Sequence, residues 1–370
     1  MLILPDSAIR TLLLNLTKQD LIHFQRRLQT SLIAFSSSEE EKQHQPSPGI
    51  TTRPNGQKTL FRPFTSPSSV GCKIIVDPAP DPQTGTKDVL HGVLVICDEK
   101  GVPKGLINAE EVTSFRTALC SLIPWMWRKR TQRVVVFGAG KVAVWTVRLC
   151  LGLRGSEVES LVVVNRNKGK AEEVVGKVRG EGRGREGLEI RAIGSEEEEE
   201  VVRKCLREAD AVFCTVPSEA VLFDDKAVRR EEGQSKPYIS AIGSWRPNMI
   251  ELDPELLKRV VDEERMYNPV SPSDDGFILV DDRKSVAEHT GELLQSKLSE
   301  AQMIEVGQML EIRESLGQSE EAAKLNAHLE EGFLIYKSVG VSVTDLASGE
   351  AILELAQKQG QNLGTVITEF

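Results

Sequence analysis

The chain has 370 residues, 40% hydrophobic and 27% charged, the make-up of a globular protein, and its length suggests two domains at roughly 150 residues each. Lys and Arg number 46 against 55 Asp and Glu, and the resulting net charge of −9 argues against a nucleic-acid or anionic-membrane partner, since both call for a basic patch. Six scattered cysteines, none in a C-x-x-C pair or beside a histidine at ligand spacing, argue against a zinc site and suit a reducing compartment, the cytoplasm.

Leu2-Ile3-Leu4 predicts a short strand, followed by an amphipathic helix with Asp6 or Ser7 as its cap. Asp6 and Arg10 break up the apolar residues there, so the segment does not read as a signal peptide. No apolar run approaches the ~20 residues of a membrane helix. The polar, proline-bearing segment 36–58 predicts a surface loop. Gly71–Asp77 and Gly92–Asp98 are β-branched runs bounded by turn residues, hence strands. Asn108–Leu122 then reads as a helix capped by Asn108, with Glu110 and Glu111 in the first turn, where the helix dipole favours acids.

From Arg133 the pattern becomes strand, helix, strand, helix. Apolar runs begin at 134, 161, 188, 211, 237 and 277, with helical stretches between most of them. Such uninterrupted runs indicate a parallel sheet covered on both faces, and right-handed crossovers make it a doubly wound α/β domain. RGEGRGREG (179–187) reads as a flexible turn and the acidic run 196–200 as a solvated first helical turn. A helical region runs from 293 to 330, followed by a strand-like GFLIYKSVG and a last helix.

The most informative segment is VVVFGAGKVAVW, in which Gly138-Ala139-Gly140-Lys141-Val142-Ala143 fits G-x-G-x-x-A between an apolar strand and a helix. Gly138 permits the tight turn, Gly140 lets the backbone approach a pyrophosphate, and Ala143 allows close helix–strand packing. The helix N-terminus offers free N–H groups to the anion. The next strand ends at Asn165-Arg166-Asn167-Lys168, where an NAD-binding domain usually places an acid on the ribose hydroxyls. A guanidinium and an ammonium there suit a 2′-phosphate, so NADP(H) is the expected cofactor, with NAD(H) as the alternative. Lys73, inside an apolar strand, and Arg116, on an otherwise apolar helix face, face either solvent or an anion.

In chain order, TSFRTAL, VVVFGAGKVA, VVVNRN, SAIGSWRPNMIEL and LIYKSVGVSVTDLA resemble the ornithine cyclodeaminase/mu-crystallin family, its fungal members in particular, over nearly the whole chain. The resemblance implies a homodimer of two-domain subunits. A doubly wound Rossmann domain, 119–314, is inserted in an α+β substrate and dimerisation domain, 1–118 plus 315–370. It implies that Lys73 and Arg116 hold a substrate carboxylate, and that Gly138, Ala139, Gly140, Lys141, Val142, Asn165, Arg166, Asn167, Thr215, Val216 and Ser338 line the cofactor.

The departures from the family pattern bear on the reaction. Ornithine cyclodeaminases carry a catalytic aspartate where Trp245 stands, and indole accepts no proton, so imine reduction is favoured over ornithine cyclisation; Trp245 either shapes the substrate pocket or is ordinary packing. A usual carboxylate-binding arginine is replaced by Pro46-Ser47-Pro48, with Arg53 or Arg62 as substitutes. Val142 and Thr146 stand for a usual Gln and His, and His289 for a usual Glu. The leading expectation is NADPH-dependent reduction of a C=N bond in an α-imino acid or cyclic ketimine, with Lys73 or water as proton donor. The alternatives are an amino-acid dehydrogenase or cyclodeaminase using NAD(P), and a mu-crystallin-like protein that binds NADPH and a small ligand without turnover.

Overall fold

The structure, a computed structural model, describes every residue except 87, 197, 232, 263–267, 272–275, 360–362 and 370, and all side chains of the rest save those of 39 and 40. The chain begins with β1 (Leu2–Leu4), α1 (Asp6–Leu14), α2 (Lys18–Ser37), α3 (Glu39–Gln43), β2 (Gly49–Thr52), β3 (Lys58–Ser66), β4 (Ser69–Asp77), β5 (His91–Asp98), β6 (Pro103–Asn108) and α4 (Ala109–Trp125). It continues with β7 (Arg133–Phe137), α5 (Lys141–Arg154), β8 (Ser160–Asn165), α6 (Lys168–Gly180), β9 (Glu189–Gly194), α7 (Glu199–Glu208), β10 (Ala211–Cys214), β11 (Tyr238–Ala241) and α8 (Pro254–Asp262). Next come β12 (Ile278–Val280), α9 (Arg283–His289), α10 (Gly291–Ser296), β13 (Met303–Glu305), α11 (Val306–Leu316), α12 (Glu320–Glu331) and β14 (Leu334–Lys337). The last elements are α13 (Ser342–Lys358) and β15 (Thr365–Val366).

These form two compact units, one of Met1–Arg116 with Val341–Phe370 and one of Thr117–Gly340. The expected return to the first unit at 315 is corrected to 341. β14 pairs in parallel with β11 and β12, so its ladder holds the chain in the second unit until the loop after Lys337.

In the first unit a seven-stranded sheet runs β15-β1-β6-β5-β4-β3-β2, antiparallel except for β1 beside β6. The segment 36–58 is more ordered than its polar composition suggests, because α3 forms there and β2 pairs with β3 as a hairpin. Pro5, not Asp6 or Ser7, stands at the N-cap of α1, and Asp6 lies in the first turn. Helix α13 packs on the sheet through a glycine: a Cβ on Gly349 would lie 2.4 Å from Ile96 Cδ1 and 2.8 Å from Leu94 Cδ2. A mid-helix glycine costs about 1 kcal/mol of propensity, and here it allows the close approach that buries α13 from Ser342 to Gly349.

The second unit is a parallel eight-stranded sheet, β13-β12-β14-β11-β10-β7-β8-β9. Its strands are almost wholly buried, as their Val- and Ile-rich sequences require. The long helical region read over 293–330 is interrupted by β13, a three-residue edge strand too short to leave a periodic signal. Strand order reverses at β7, which has β8 on one side and β10 on the other, the place where open α/β sheets take ligands. Among the described residues no helix is long and apolar enough to cross a membrane.

Candidate active site

Two groups of functional side chains stand out, one in each unit. In the first unit, Lys73 lies mid-strand in β4, directly across from Arg62 on β3 and Leu94 on β5. Leu94 is fully buried, so the pleat turns Lys73 into the interior, where its exposure is 0%. Helix α4 brings Thr113 and, one turn later, Arg116 to the same place, which gives the Thr-x-x-Arg spacing its physical meaning. Lys73 Nζ donates to Thr113 Oγ1 at 3.4 Å.

Lys73 and Arg116 both pair with Asp345, in the first turn of α13. Its Oδ2 lies 2.7 Å from Lys73 Nζ, and its Oδ1 accepts from Arg116 Nε at 2.8 Å. Burial drags the Lys73 ammonium down to about 7, with Arg116 and Arg62 pushing the same way and Asp345 resisting. Burial alone would raise the Asp345 carboxyl, yet Arg116, Lys73 and Arg62 together hold it at about 2. Lys73 and Arg116 thus pair with one internal carboxylate through different oxygens, and the half-buried Arg62 adds a third positive charge near it. Asp345 escaped the sequence reading; the available signal was an acid among the small and apolar residues of SVTDLASGEAILELA. Of the two proposed substitutes for the missing arginine, the structure brings Arg62 to this group. Arg53 sits in the exposed β2–β3 turn, its carbonyl and N–H bonded to Gly56 and Gln57, and Pro48 is exposed just before β2.

In the second unit the glycine-rich turn follows β7. Gly138 has φ +118°, a conformation favouring glycine, and a Cβ there would meet Thr215 Oγ1 at 2.4 Å. Thr215 in turn donates to the Phe137 carbonyl at 2.7 Å, which joins the ends of β7 and β10. Gly140 caps α5 with no side-chain bond to the helix, and a Cβ on it would have nothing within 4 Å. Ala139 and Val142 are half-buried, and Lys141 is exposed. Open space over Gly140 beside an uncapped 14-residue helix fits the pyrophosphate of a dinucleotide. The two glycines therefore separate in experiment. Gly138→Ala should destabilise the fold by about 2 kcal/mol through strain and overlap. Gly140→Ala should melt within about 1 kcal/mol of the parent yet bind a nicotinamide dinucleotide at least 10-fold more weakly; thermal melts and a fluorescence titration read the two effects apart.

Past β8, Asn165 Nδ2 donates to the Asn167 carbonyl at 2.9 Å, and Asn167 Oδ1 caps α6 through Lys170 N–H at 3.2 Å. Arg166 is exposed between them. Lys168 Nζ donates to Glu198 Oε1 at 2.7 Å, so a 2′-phosphate there would compete with that carboxylate. Thr146 returns its hydroxyl to the Val142 carbonyl one turn back at 2.9 Å, and His289 is exposed at the end of α9, outside any buried cluster. Trp245 is half-buried, with the Arg246 guanidinium 4.0 Å above its ring.

Two buried carboxylates that the sequence reading did not single out shape the loops around these residues. Glu251 accepts from the backbone of Val216 at 2.8 Å, Gly243 at 2.7 Å and Ser244 at 3.1 Å, tying the loop after β10 to the loop after β11. Asp281 accepts from Ser338 Oγ at 2.7 Å and Gly340 N–H at 2.6 Å. Between those loops Lys337, fully buried at the end of β14, donates to Ser244 O at 2.7 Å and lies 3.0 Å from Glu292 Oε1 and 3.9 Å from Glu251 Oε2. Burial raises the Glu251 carboxyl to about 7 against the pull of Lys337 and the backbone N–H groups. Among the described residues no group of His, Cys, Asp or Glu is placed to hold a metal ion.

The sequence pattern of the ornithine cyclodeaminase/mu-crystallin family matches residues 34–360. An uncharacterised protein of Saccharomyces cerevisiae is 24% identical, with 97% of this chain and 98% of that one covered. A Δ1-pyrroline-2-carboxylate reductase of Bacillus cereus is 22% identical over 93% of this chain and 95% of its own. The structure of Thermococcus litoralis Δ1-pyrroline-2-carboxylate reductase in complex with NADH and L-proline superposes with a TM-score of 0.71 at 16% identity, covering 99% of this chain and 100% of that one. The matched span takes in both the Lys73–Arg116 group and the glycine-rich turn, and the chain belongs to the ornithine cyclodeaminase/mu-crystallin family.

Proposed function

We propose that this protein is a nicotinamide-dependent oxidoreductase that reduces the C=N bond of an α-imino acid, a cyclic ketimine of the Δ1-pyrroline-2-carboxylate type. The observation that carries this reading is the gathering of three cationic side chains, the buried Lys73 and Arg116 and the half-buried Arg62, around Asp345. A substrate carboxylate is the natural complement of such a cationic cluster, and the similarity to Δ1-pyrroline-2-carboxylate reductases supports an imino acid. Arg116 presents a planar guanidinium suited to a carboxylate, and Arg62 adds a second positive charge. Lys73, with its ammonium drawn down to about 7, is a competent acid at neutral pH and delivers a proton to the imine nitrogen. The Gly138–Gly140 turn and the α5 N-terminus would hold the dinucleotide pyrophosphate, and a nicotinamide bound there would supply the hydride. Trp245, standing where the family's cyclodeaminases carry an aspartate, offers no base for ornithine.

The exposed Arg166 and the absence of a carboxylate at Asn165 support NADP(H) over NAD(H). Arg166→Ala should weaken NADPH by about 10- to 100-fold, the worth of a charge-assisted bond to phosphate, and leave NADH unchanged; a parallel titration of both cofactors checks it. The reaction itself is tested with NADPH and three compounds: Δ1-pyrroline-2-carboxylate, 1-pyrroline, which lacks the carboxylate, and ornithine. The first should be reduced, the second at least 100-fold less efficiently for want of the ionic anchor, and ornithine should not react. Equal use of the two pyrrolines, or turnover of ornithine, would overturn the proposal.

A further inference from the structure

The second reactant in an imine reduction is a proton, and what surrounds Lys73 bears on its supply. β3 contributes Arg62, β5 the apolar Leu94, α4 Thr113 and Arg116, and α13 Asp345. Two of these three charged neighbours are cationic and work against an ammonium ion, as does burial at 0% exposure. The one neighbour that opposes them is Asp345, itself fully buried and ion-paired to Lys73 and Arg116 through different oxygens. We propose that Asp345 is a positioning residue: by pairing one oxygen with Lys73 and the other with Arg116, it keeps Lys73 in the charged form that gives up a proton, and holds the two cations apart at a fixed spacing.

This inference rests on the reductase reading for the role of the proton, but the electrostatic claim has its own readout. An opposite charge in contact shifts a partner's titration by about 1–3 pH units. In the parent protein, kcat/KM should fall as pH rises through about 7, because the acid loses its proton. Asp345→Asn should move that falling limb down by at least about one unit. Arg116→Lys should leave it near its place, and Arg62→Ala, which removes a like charge, should move it up. Damage to the fold would not shift the limb in opposite directions in the two variants. An unmoved limb in a folded Asp345→Asn protein overturns the inference.

The binding of pyrrole-2-carboxylate, a planar carboxylate that undergoes no hydride transfer, is measured in parallel by calorimetry across the same pH range. If the imine is not turned over but this binding shows the same downward shift in Asp345→Asn, the reductase reading fails and the role of Asp345 stands. Should Asp345→Asn not fold, the parent protein labelled with 13C at the aspartate carboxyls supplies the answer. The Asp345 resonance should then show a step near the pH at which Lys73 titrates, and a flat response overturns the inference.

Discussion

Replacing Arg116 with alanine should raise the KM for an imino-acid substrate by about 100-fold, since a charge-assisted, largely desolvated contact contributes about 2–3 kcal/mol and each 1.4 kcal/mol is a factor of ten. Arg116 is 3% exposed and fixed by its Nε bond to Asp345, so its guanidinium is held in place before a substrate arrives. The variant should also shift the pH dependence. Arg116 pushes the Lys73 ammonium down, so without it Lys73 keeps its proton to higher pH and the falling limb of kcat/KM moves up. Steady-state kinetics across pH, with Arg116→Lys to retain charge without the fork, separates these effects. An unchanged KM in a protein with a native melting profile would remove Arg116 from the substrate site.

The largest effect on stability should come from Lys337→Met. Among the described residues this removes the cation paired with Glu251 and Glu292 and leaves both carboxylates at 0% exposure. Breaking a buried pair from one side costs about 3–5 kcal/mol, because the remaining charge is neither solvated nor matched. For a unit of this size that lowers Tm by about 10 °C. The effect has a pH signature whose sign follows from the carboxyls. Glu251 holds its proton to about 7 in the folded protein, above its ordinary range, so the folded state binds more protons than the unfolded state across that interval. Such a group costs stability as pH rises from about 4 to 7, and loss of Lys337 deepens the cost. The difference in Tm between variant and parent should therefore be smaller at about pH 5 than at about pH 8. Matching melts at the higher pH would mean that the ammonium contributes nothing to the cluster.

The doubly wound half of the chain was legible because its strands are unbroken apolar runs and its turn demands glycine at one position and leaves open space at another. Gly138 and Gly140 read as a dinucleotide turn by residue type; in the structure Gly138 has a positive φ and a Cβ clash with Thr215, and Gly140 has open space above it. The first unit was less legible. β3 (KTLFRPFTS) carries charge and proline and gives little alternation, so Arg62 could be offered as a substitute ligand without knowing that it stands across from Lys73. β13 is three residues at a sheet edge, and its pairing comes only from β12. The domain boundary was misplaced because FLIYK reads as a strand without saying which sheet it joins.

At the site, spacing reveals partners only within one element. Thr113 and Arg116 are linked by a helical turn, but Asp345 is 229 residues from Arg116 and becomes its partner through the packing of α13 on the sheet. Lys337, Glu251 and Glu292 come from three separate elements or loops for the same reason. In each case the sequence does hold a sign, a lone charge set in an apolar or small-residue stretch. Burial of such a charge requires a partner, and the partner is what only the fold supplies.

The central claim is that hydride and proton are added across a carboxylate-bearing C=N bond. Its most direct test is to incubate the protein with Δ1-pyrroline-2-carboxylate and NADPH carrying deuterium at C4 of the nicotinamide, and to analyse the product by mass spectrometry and NMR. The account predicts oxidation of the cofactor and proline with deuterium at its α-carbon. Tight binding of NADPH with no deuterium transferred to this or any other cyclic α-imino acid would contradict it, and would mark the chain as a protein that holds cofactor and ligand without turnover.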